Sequence, residues 1–549
     1  MKRLIIVLVA ALGFVVGYSQ EKDHNFEVIK NLDIFNNVYK SLDVMFVDTL
    51  NPEQVIGTAI KGMLSQMDPY TEFYPNENEY KKGLQGTYAG IGATIHYSFT
   101  QKNVVVDEPF DGSPAAKAGL RKGDIILEID KEGMEGKATS YVSSHLRGEA
   151  GTTFVLKIKR KDKVMKLKIT REQIKTTALI PYYGLKGDIG YVSLSSFVNE
   201  GASKEVRRAF IDLKNKGAKK IVIDLRGNGG GLITEAVDMV NMFVPKGLDI
   251  VSTKGKLDRA NSTYTTTVEP IDTVIPLVVL VDKNSASASE IFAGSLQDLD
   301  RAVIIGQRTY GKGLVQRALE LPFGANLKLT VGKYYIPSGR CIQALQYNRS
   351  DKGKYEKDDI PDSLTTAFKT KNGREVRDGR GIKPDIEVKL DTMSNIAFYL
   401  SEIVDSTDTY FDWVSNYCQS HESIAQPSEF EITDEDYADF RQKVIDNKFK
   451  YDRVSSEYLK RLTEAAKSEG YYDDAKDEFA ALEAKLNHNI GSDLDKNKEE
   501  IKTMIASDIM TYYYFRRGMA EYLLKHDKIF DKAIEILGNE EEYRKILAQ

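Results

Sequence analysis

Histidine is scarce in this 549-residue sequence: six in all, His24, His96, His145, His421, His488 and His526, with none between residues 146 and 420. A Ser-His-Asp triad inside that middle stretch is excluded by inventory. So is a metal site of the HExxH kind, and no His/Cys/Asp cluster has ligand spacing. Cysteine is scarcer still. Cys341 and Cys418 cannot build a disulfide framework or a Cys-based metal centre; they read as buried small hydrophobes, with one disulfide left open in an oxidising compartment. No sign of charge dominates either, since 76 Lys+Arg against 81 Asp+Glu leave a net charge of −5. That excludes the basic footprint of a nucleic-acid binder. Long apolar runs are absent beyond Leu4–Gly17, which is shorter than the roughly 20 residues a membrane-spanning helix needs. With Met-Lys-Arg before it and small residues near Ser19 after it, residues 1–20 read as a secretory signal, a retained anchor being the alternative. The mature chain is expected to work in the periplasm or outside the cell, with no cofactor and no nucleotide.

What is present is the composition of a globular protein, 42% hydrophobic and 29% charged, on a chain long enough for three or four domains. Residues 21–85 are helical by the 3- and 4-residue spacing of Leu32, Ile34, Phe35, Val38, Tyr39 and Leu42. Over 86–178 the texture changes to short β-type runs broken by glycine ("NVVVDEP", "DIILEID", "TFVLKIKR"). Strands and helices then alternate over 179–395, which predicts an α/β layer structure carrying a polar insert at 344–380. From 396 to 549 the chain is helical and charge-rich, and Thr433 with Asp436 forms a capping signature ahead of Tyr437, Phe440 and Val444. The charged faces of this tail read as solvated surface.

Three segments of the α/β region carry candidate chemistry. "VDKNSASASEIFAG" places Ser285, Ser287 and Ser289 between a strand-like and a helix-like run. With histidine missing, the base available to such a serine is lysine. "GQRTYGKGLVQ" presents Lys312 between two glycines, and burial away from other cations is what would make it a base. The same segment nearly spells a phosphate loop, but Gly313 stands where Ser or Thr must hold magnesium. "IVIDLRGNGGG" ends an apolar strand in a glycine cluster, where backbone N–H groups can approach a developing oxyanion. Taken singly, each has a plain reading: turn serines, a solvated loop lysine, a flexible turn.

Together they resemble the C-terminal processing (tail-specific) peptidases, a secreted family of Ser-Lys serine proteases with an inserted PDZ domain. Beside these segments, "GSPAAKAGLRKGDIILEID", "GYVSLSSF", "LKLTVGKYYIPSGRCIQ" and "GIKPDIEV" match, in family order from about residue 60 to 390. The resemblance implies a multidomain α/β protein with a crotonase/ClpP-like ββα core, the PDZ domain at 86–178 and helical regions at both ends. It makes Ser287, the middle serine, the nucleophile. Lys312, 25 residues on, becomes the general base, and Gln316, four residues further, helps to hold its amine. The oxyanion hole falls to the N–H of Ala288 and one N–H of Gly229–Gly231, with Gly230 favoured. In the PDZ domain Gly90, Ile91, Gly92 and Ala93 form the loop that receives a peptide carboxylate, beside which the peptide adds as a strand. Arg147 is a candidate for coupling that domain to the core. Expected partners are protein or peptide substrates taken by their C-termini, and a second copy of the chain as a homodimer.

Two other classes fit less well. A catalytically silent peptide-binding scaffold on the same fold would have lost Ser287 or Lys312, and both are present. A crotonase-like acyl-CoA enzyme would share the glycine-rich oxyanion loop, but the signal-like start and the PDZ-like insert disfavour it.

Overall fold

The computed structural model describes the chain apart from residues 1, 78, 81–86, 176–179, 199–200, 345–361, 390–391, 402–407, 452–453 and 487–488, and gives the backbone alone for 2–23, 87–88, 175, 362 and 454. The side chains of the signal-like segment and the first part of the polar insert therefore lie outside the described residues. Among the described residues no helix is long and apolar enough to cross a membrane. The chain forms two compact units. One holds the residues up to Tyr80 with Gln316–Thr330; the other holds Lys81–Val315, Val331–Tyr347 and Gly353–Gln549.

In the first unit the helix Lys2–Met45 precedes the helix Pro52–Leu64. The second helix starts where the sequence permits: Asn51 Oδ1 accepts the Gln54 N–H, and Pro52 occupies the first turn, which has no use for its missing N–H. Glu72–Tyr74 then pairs antiparallel with residues 326–328.

The second unit is organised around a six-stranded sheet in the order Tyr183–Lys186, Ile189–Ser193, Lys220–Asp224, Leu277–Val281, Val303–Gly306 and Ile386–Glu387. The first pairing is antiparallel and the rest are parallel. The central strand Leu277–Val281 is apolar throughout, and its neighbour Lys220–Asp224 is apolar between its end residues, because both faces are covered. Side chains alternate across a strand, so Leu277, Val279 and Val281 pack under the helices Ala202–Asn215, Ile233–Val240 and Ala288–Asp298. Val278 and Leu280 face the other way, onto Ile529, Phe530, Ala533, Ile536 and Leu537 of the helix Lys528–Gly538. The last two helices of the charge-rich tail thus form a layer of the α/β core. The described part of the polar insert ends in a hairpin, Ala367–Lys369 against Glu375–Arg377.

The β-rich stretch folds as a two-stranded pair, Thr87–Gly90 with Glu172–Lys175, and a larger antiparallel sheet that includes Ala93–Ser98, Asn103–Pro109, Ile125–Ile129, Thr153–Arg160 and Lys163–Thr170, over a core that includes Ile91, Val104, Ile126 and Phe154. Arg147 follows its helix Thr139–Leu146 and gives its N–H to Ser143 O. Beyond it in sequence, the helices between Asn395 and Leu523 surround Trp413, Phe440, Ile501 and Ile509. Thr433 and Asp436 make the reciprocal cap that the sequence signals, and Tyr437, Phe440 and Val444 are buried.

Candidate active site

Ser287 sits where the strand Leu277–Val281 hands over to the helix Ala288–Asp298. Its backbone is left-handed, φ 57° and ψ −113°, a conformation that costs a non-glycine residue on the order of 1–3 kcal/mol and persists only when its surroundings impose it. The flanking serines are buried and committed to the turn. Ser285 Oγ donates to Leu225 O at 2.8 Å, and Ser289 Oγ to Asn228 O at 2.9 Å. Ser287 alone of the three is only half-buried, and it stands at a helix N-terminus, whose dipole favours negative charge. The N–H of Ala288 has no partner among the described residues.

The glycine loop packs directly on this turn. A Cβ on Gly230, whose φ is +95°, would lie 2.8 Å from Ser287 Cβ and 2.9 Å from Ala288 N, so only glycine permits the approach. The N–H of Gly230 nevertheless points elsewhere: it is donated to Asn228 Oδ1 at 2.9 Å. Asn228 is fully buried, and its side chain satisfies itself on Gly230 N–H and Leu194 O, while its own carbonyl takes the Ala286 N–H. A donation from Gly230 to an oxyanion therefore requires Asn228 to release it.

Lys312 lies on the loop after Val303–Gly306 and is half-buried between buried Gly311 and Gly313. Its tie to Ser287 runs through a residue the sequence reading missed. Glu290, fully buried, accepts four hydrogen bonds: Oε2 takes Ser287 N–H at 2.9 Å and Lys312 N–H at 2.8 Å, and Oε1 takes Gly311 N–H at 2.7 Å and the Thr309 hydroxyl at 2.5 Å. Burial pushes the Glu290 carboxyl up to about 7, against the pull of these four donors. Tyr334, buried and paired opposite Thr253, is a second bridge, with its hydroxyl at Lys312 O and 3.2 Å from Ser287 O.

Gln316 belongs to the first unit, where its Nε2 donates to Thr330 Oγ1 at 3.2 Å, and Thr330 in turn donates to Asp68 at 3.1 Å. In the PDZ-like domain Gly90 ends a strand paired with Glu172, and Ile91 and Gly92 are fastened by their carbonyls, to Ala115 N–H at 2.8 Å and Phe110 N–H at 2.9 Å. Gly92 has φ +72°, and a Cβ there would meet Ser113 Cβ at 2.6 Å. The Ile91 side chain is buried in the domain core, and Ala93 pairs opposite Pro109. The N–H groups of Ile91 and Gly92 have no hydrogen-bond partner among the described residues.

Residues 188–348 match peptidase family S41, 83–170 match a PDZ domain, and 399–537 match "Probable PDZ-protease, C-terminal helical domain". The chain is 34% identical over 347 residues to the "Carboxy-terminal-processing protease" of Bartonella bacilliformis (strain ATCC 35685 / KC583 / Herrer 020/F12,63), covering 62% of this chain and 79% of that one. This chain belongs to the carboxy-terminal-processing serine protease family. Its S41 domain carries the glycine loop, the serine turn and the lysine loop, with the PDZ domain ahead of it and the helical domain behind. A "Probable CtpA-like serine protease" of Staphylococcus aureus (strain MRSA252) is 36% identical over 316 residues, which are 57% of this chain and 62% of that protein's length. Among solved structures, "Photosystem II D1 C-terminal processing protease" is 28% identical with a TM-score of 0.35, over 64% of this chain and 86% of that one.

Proposed function

We propose that the chain is an extracytoplasmic serine endopeptidase that captures protein C-termini with its PDZ domain and hydrolyses peptide bonds with Ser287 and Lys312. The observation that carries the reading is the shared oxygen of Glu290, which takes the N–H of both residues and so keeps their backbones two hydrogen bonds apart. In this reading Ser287 Oγ attacks the scissile carbonyl while the neutral Lys312 amine accepts its proton. The tetrahedral oxyanion is held by Ala288 N–H and one N–H of Gly229–Gly231, Gly230 serving once Asn228 releases it. Lys312 then passes the proton to the leaving amine, and water, activated by the same amine, hydrolyses the acyl-enzyme. Gln316 is assigned to steady the amine. Backbone N–H groups of Gly90–Ala93 take the substrate's terminal carboxylate, and the peptide extends beside Ala93–Ser98.

Cleavage of an unfolded polypeptide with an apolar C-terminus tests both halves. Ser287→Ala and Lys312→Ala are each expected to lower turnover by about 10³ or more. Amidating the substrate's terminal carboxylate is expected to raise KM. Wild-type rates in either alanine variant would refute the dyad, and unchanged KM for the amide would refute carboxylate capture.

A further inference from the structure

Among the described residues, Glu290 and Tyr334 each reach both halves of the proposed dyad, Glu290 on the N–H side and Tyr334 on the carbonyl side. We propose that Glu290 is a positioning residue that fixes Ser287 and Lys312 in mutual register through their backbones, with the Tyr334 hydroxyl as a second pin on the opposite, carbonyl side. The inference rests on the reading of Ser287 and Lys312 given above and extends it to what aligns them.

The geometry is specific. Ser287 N–H and Lys312 N–H converge on the same oxygen of Glu290, at 2.9 and 2.8 Å, although 25 residues separate them in the chain. The other oxygen holds Gly311 N–H and Thr309 Oγ, so the lysine loop is gripped at three points, residues 309, 311 and 312. Thr309 is itself fixed, because its Oγ accepts the Ile382 N–H at 2.7 Å. The Tyr334 hydroxyl lies within reach of the Ser287 and Lys312 carbonyls; having one proton, it donates to one of them at a time. Structural economy does not require this arrangement. Capping the helix Ala288–Asp298 needs only the bond between Ser287 N–H and Glu290, the ordinary return half of a capping box. The reach to residues 309–312 adds nothing to the helix and sets the height and direction of the lysine relative to the serine. A fully buried carboxylate is costly to keep, and four converging donors are what make it tolerable here.

Glu290→Gln is the informative substitution. The amide keeps the shape but has one acceptor oxygen in place of two, so whichever way it turns, two of the four donors face an NH₂ group. A displacement of the reacting groups by about 1 Å costs roughly 10²-fold. In the E290Q protein kcat is therefore expected to fall about 10²-fold, with KM for the same unfolded polypeptide within about twofold and the thermal transition still cooperative. Folded E290Q with wild-type kcat would overturn the inference. Should E290Q fail to fold, Tyr334→Phe decides, since it removes one hydroxyl and keeps the ring: a kcat lowered about tenfold at unchanged KM supports the clamp, and wild-type kcat overturns it. Ser287→Ala run alongside separates the two claims. If that variant cleaves at the wild-type rate, the dyad reading fails; if it is inactive while E290Q and Y334F are fully active, the dyad stands and the clamp falls.

Discussion

At Glu290 the demands of stability and of alignment oppose each other. The ionised carboxylate is the better acceptor for four donors, yet burial favours the protonated acid and lifts the group from an ordinary value of 4.5 to about 7. Below about 4.5 the folded and unfolded chains both carry the proton, and above about 7 neither does. Between those limits the folded chain holds a proton that the unfolded chain has released, so this group's stabilising contribution is lost as pH rises through the window. Denaturant midpoints of wild type and E290Q from pH 4 to 8 measure it. The variant, lacking the titration, is expected to gain on wild type as pH climbs; a constant difference would contradict the assignment. The residues themselves were unevenly legible. Ser287 and Lys312 are singled out by the family resemblance, in which serine and lysine stand 25 residues apart as these two do. Glu290 carries half a signal, because Ser-x-x-Glu announces a capping box, but its reach to Gly311 and Lys312 is a tertiary contact that no local pattern encodes. Asn228 was hidden for the same reason: a loop asparagine reads as a turn former, and only packing shows that it occupies the Gly230 N–H.

Among the elements, the helix Lys528–Gly538 has consequences for the glycine loop out of proportion to its distance in sequence. Asp527 caps it, taking Ile529 and Phe530 N–H on Oδ1, and also receives the guanidinium of Arg226, which grips Asp224 at the end of its strand. The helix then lays Phe530 edge-on to Tyr191, with ring centroids 5.2 Å apart, on the sheet face opposite the serine turn. Phe530→Ala should cost about 3–5 kcal/mol in denaturant unfolding, the range for a buried aromatic truncated in a core. A loss below about 1 kcal/mol would mean that this helix is surface dressing rather than a layer of the core. The sequence announces the helix, since Ile529, Phe530, Ala533, Ile536 and Leu537 fall on one face. It does not announce the partner, because an amphipathic pattern states that a face is buried and not against what. A hint did exist in the strand Leu277–Val281, five apolar residues in succession, which demands cover on both sides of the sheet. The intervening polar insert offered no periodicity, and its described part proved to be a short hairpin.

For the whole molecule, the seating of the PDZ domain on the helical domain is the arrangement that relates the proposed recognition site to the rest of the second unit. Polar contacts sit beside an aromatic one, the His96 ring meeting Phe411 edge-on with centroids 4.3 Å apart. Ser98 Oγ and Thr100 N–H reach Asp408 at 2.8 and 3.1 Å, Arg516 forks onto Glu108 at 2.8 and 3.0 Å, and Lys122 bonds Asp107 at 2.6 Å within 3.5 Å of Asp508. Lys122 is the keystone because it is buried, with its amine also 5.0 Å above the Phe411 ring. Burial pulls its pKa down, but Asp508 and Asp107 outweigh that and hold it firmly protonated. Lys122→Met keeps an unbranched stem of similar length while removing the charge between the two carboxylates, which is the costly way to break such a pair. The predicted result is a loosened seat in an otherwise intact protein. Amides of Ser98–Asn103 and of the helix Thr409–Ser420 should exchange with solvent at least about tenfold faster, equivalent to roughly 1.4 kcal/mol of lost protection. Those of the strands Lys220–Asp224 and Leu277–Val281 should be unaffected, because their protection comes from the sheet and its two helical layers. Hydrogen exchange read by mass spectrometry distinguishes the outcomes: equal protection at both contact segments in K122M and wild type would show that the apolar contacts seat the domain without the lysine.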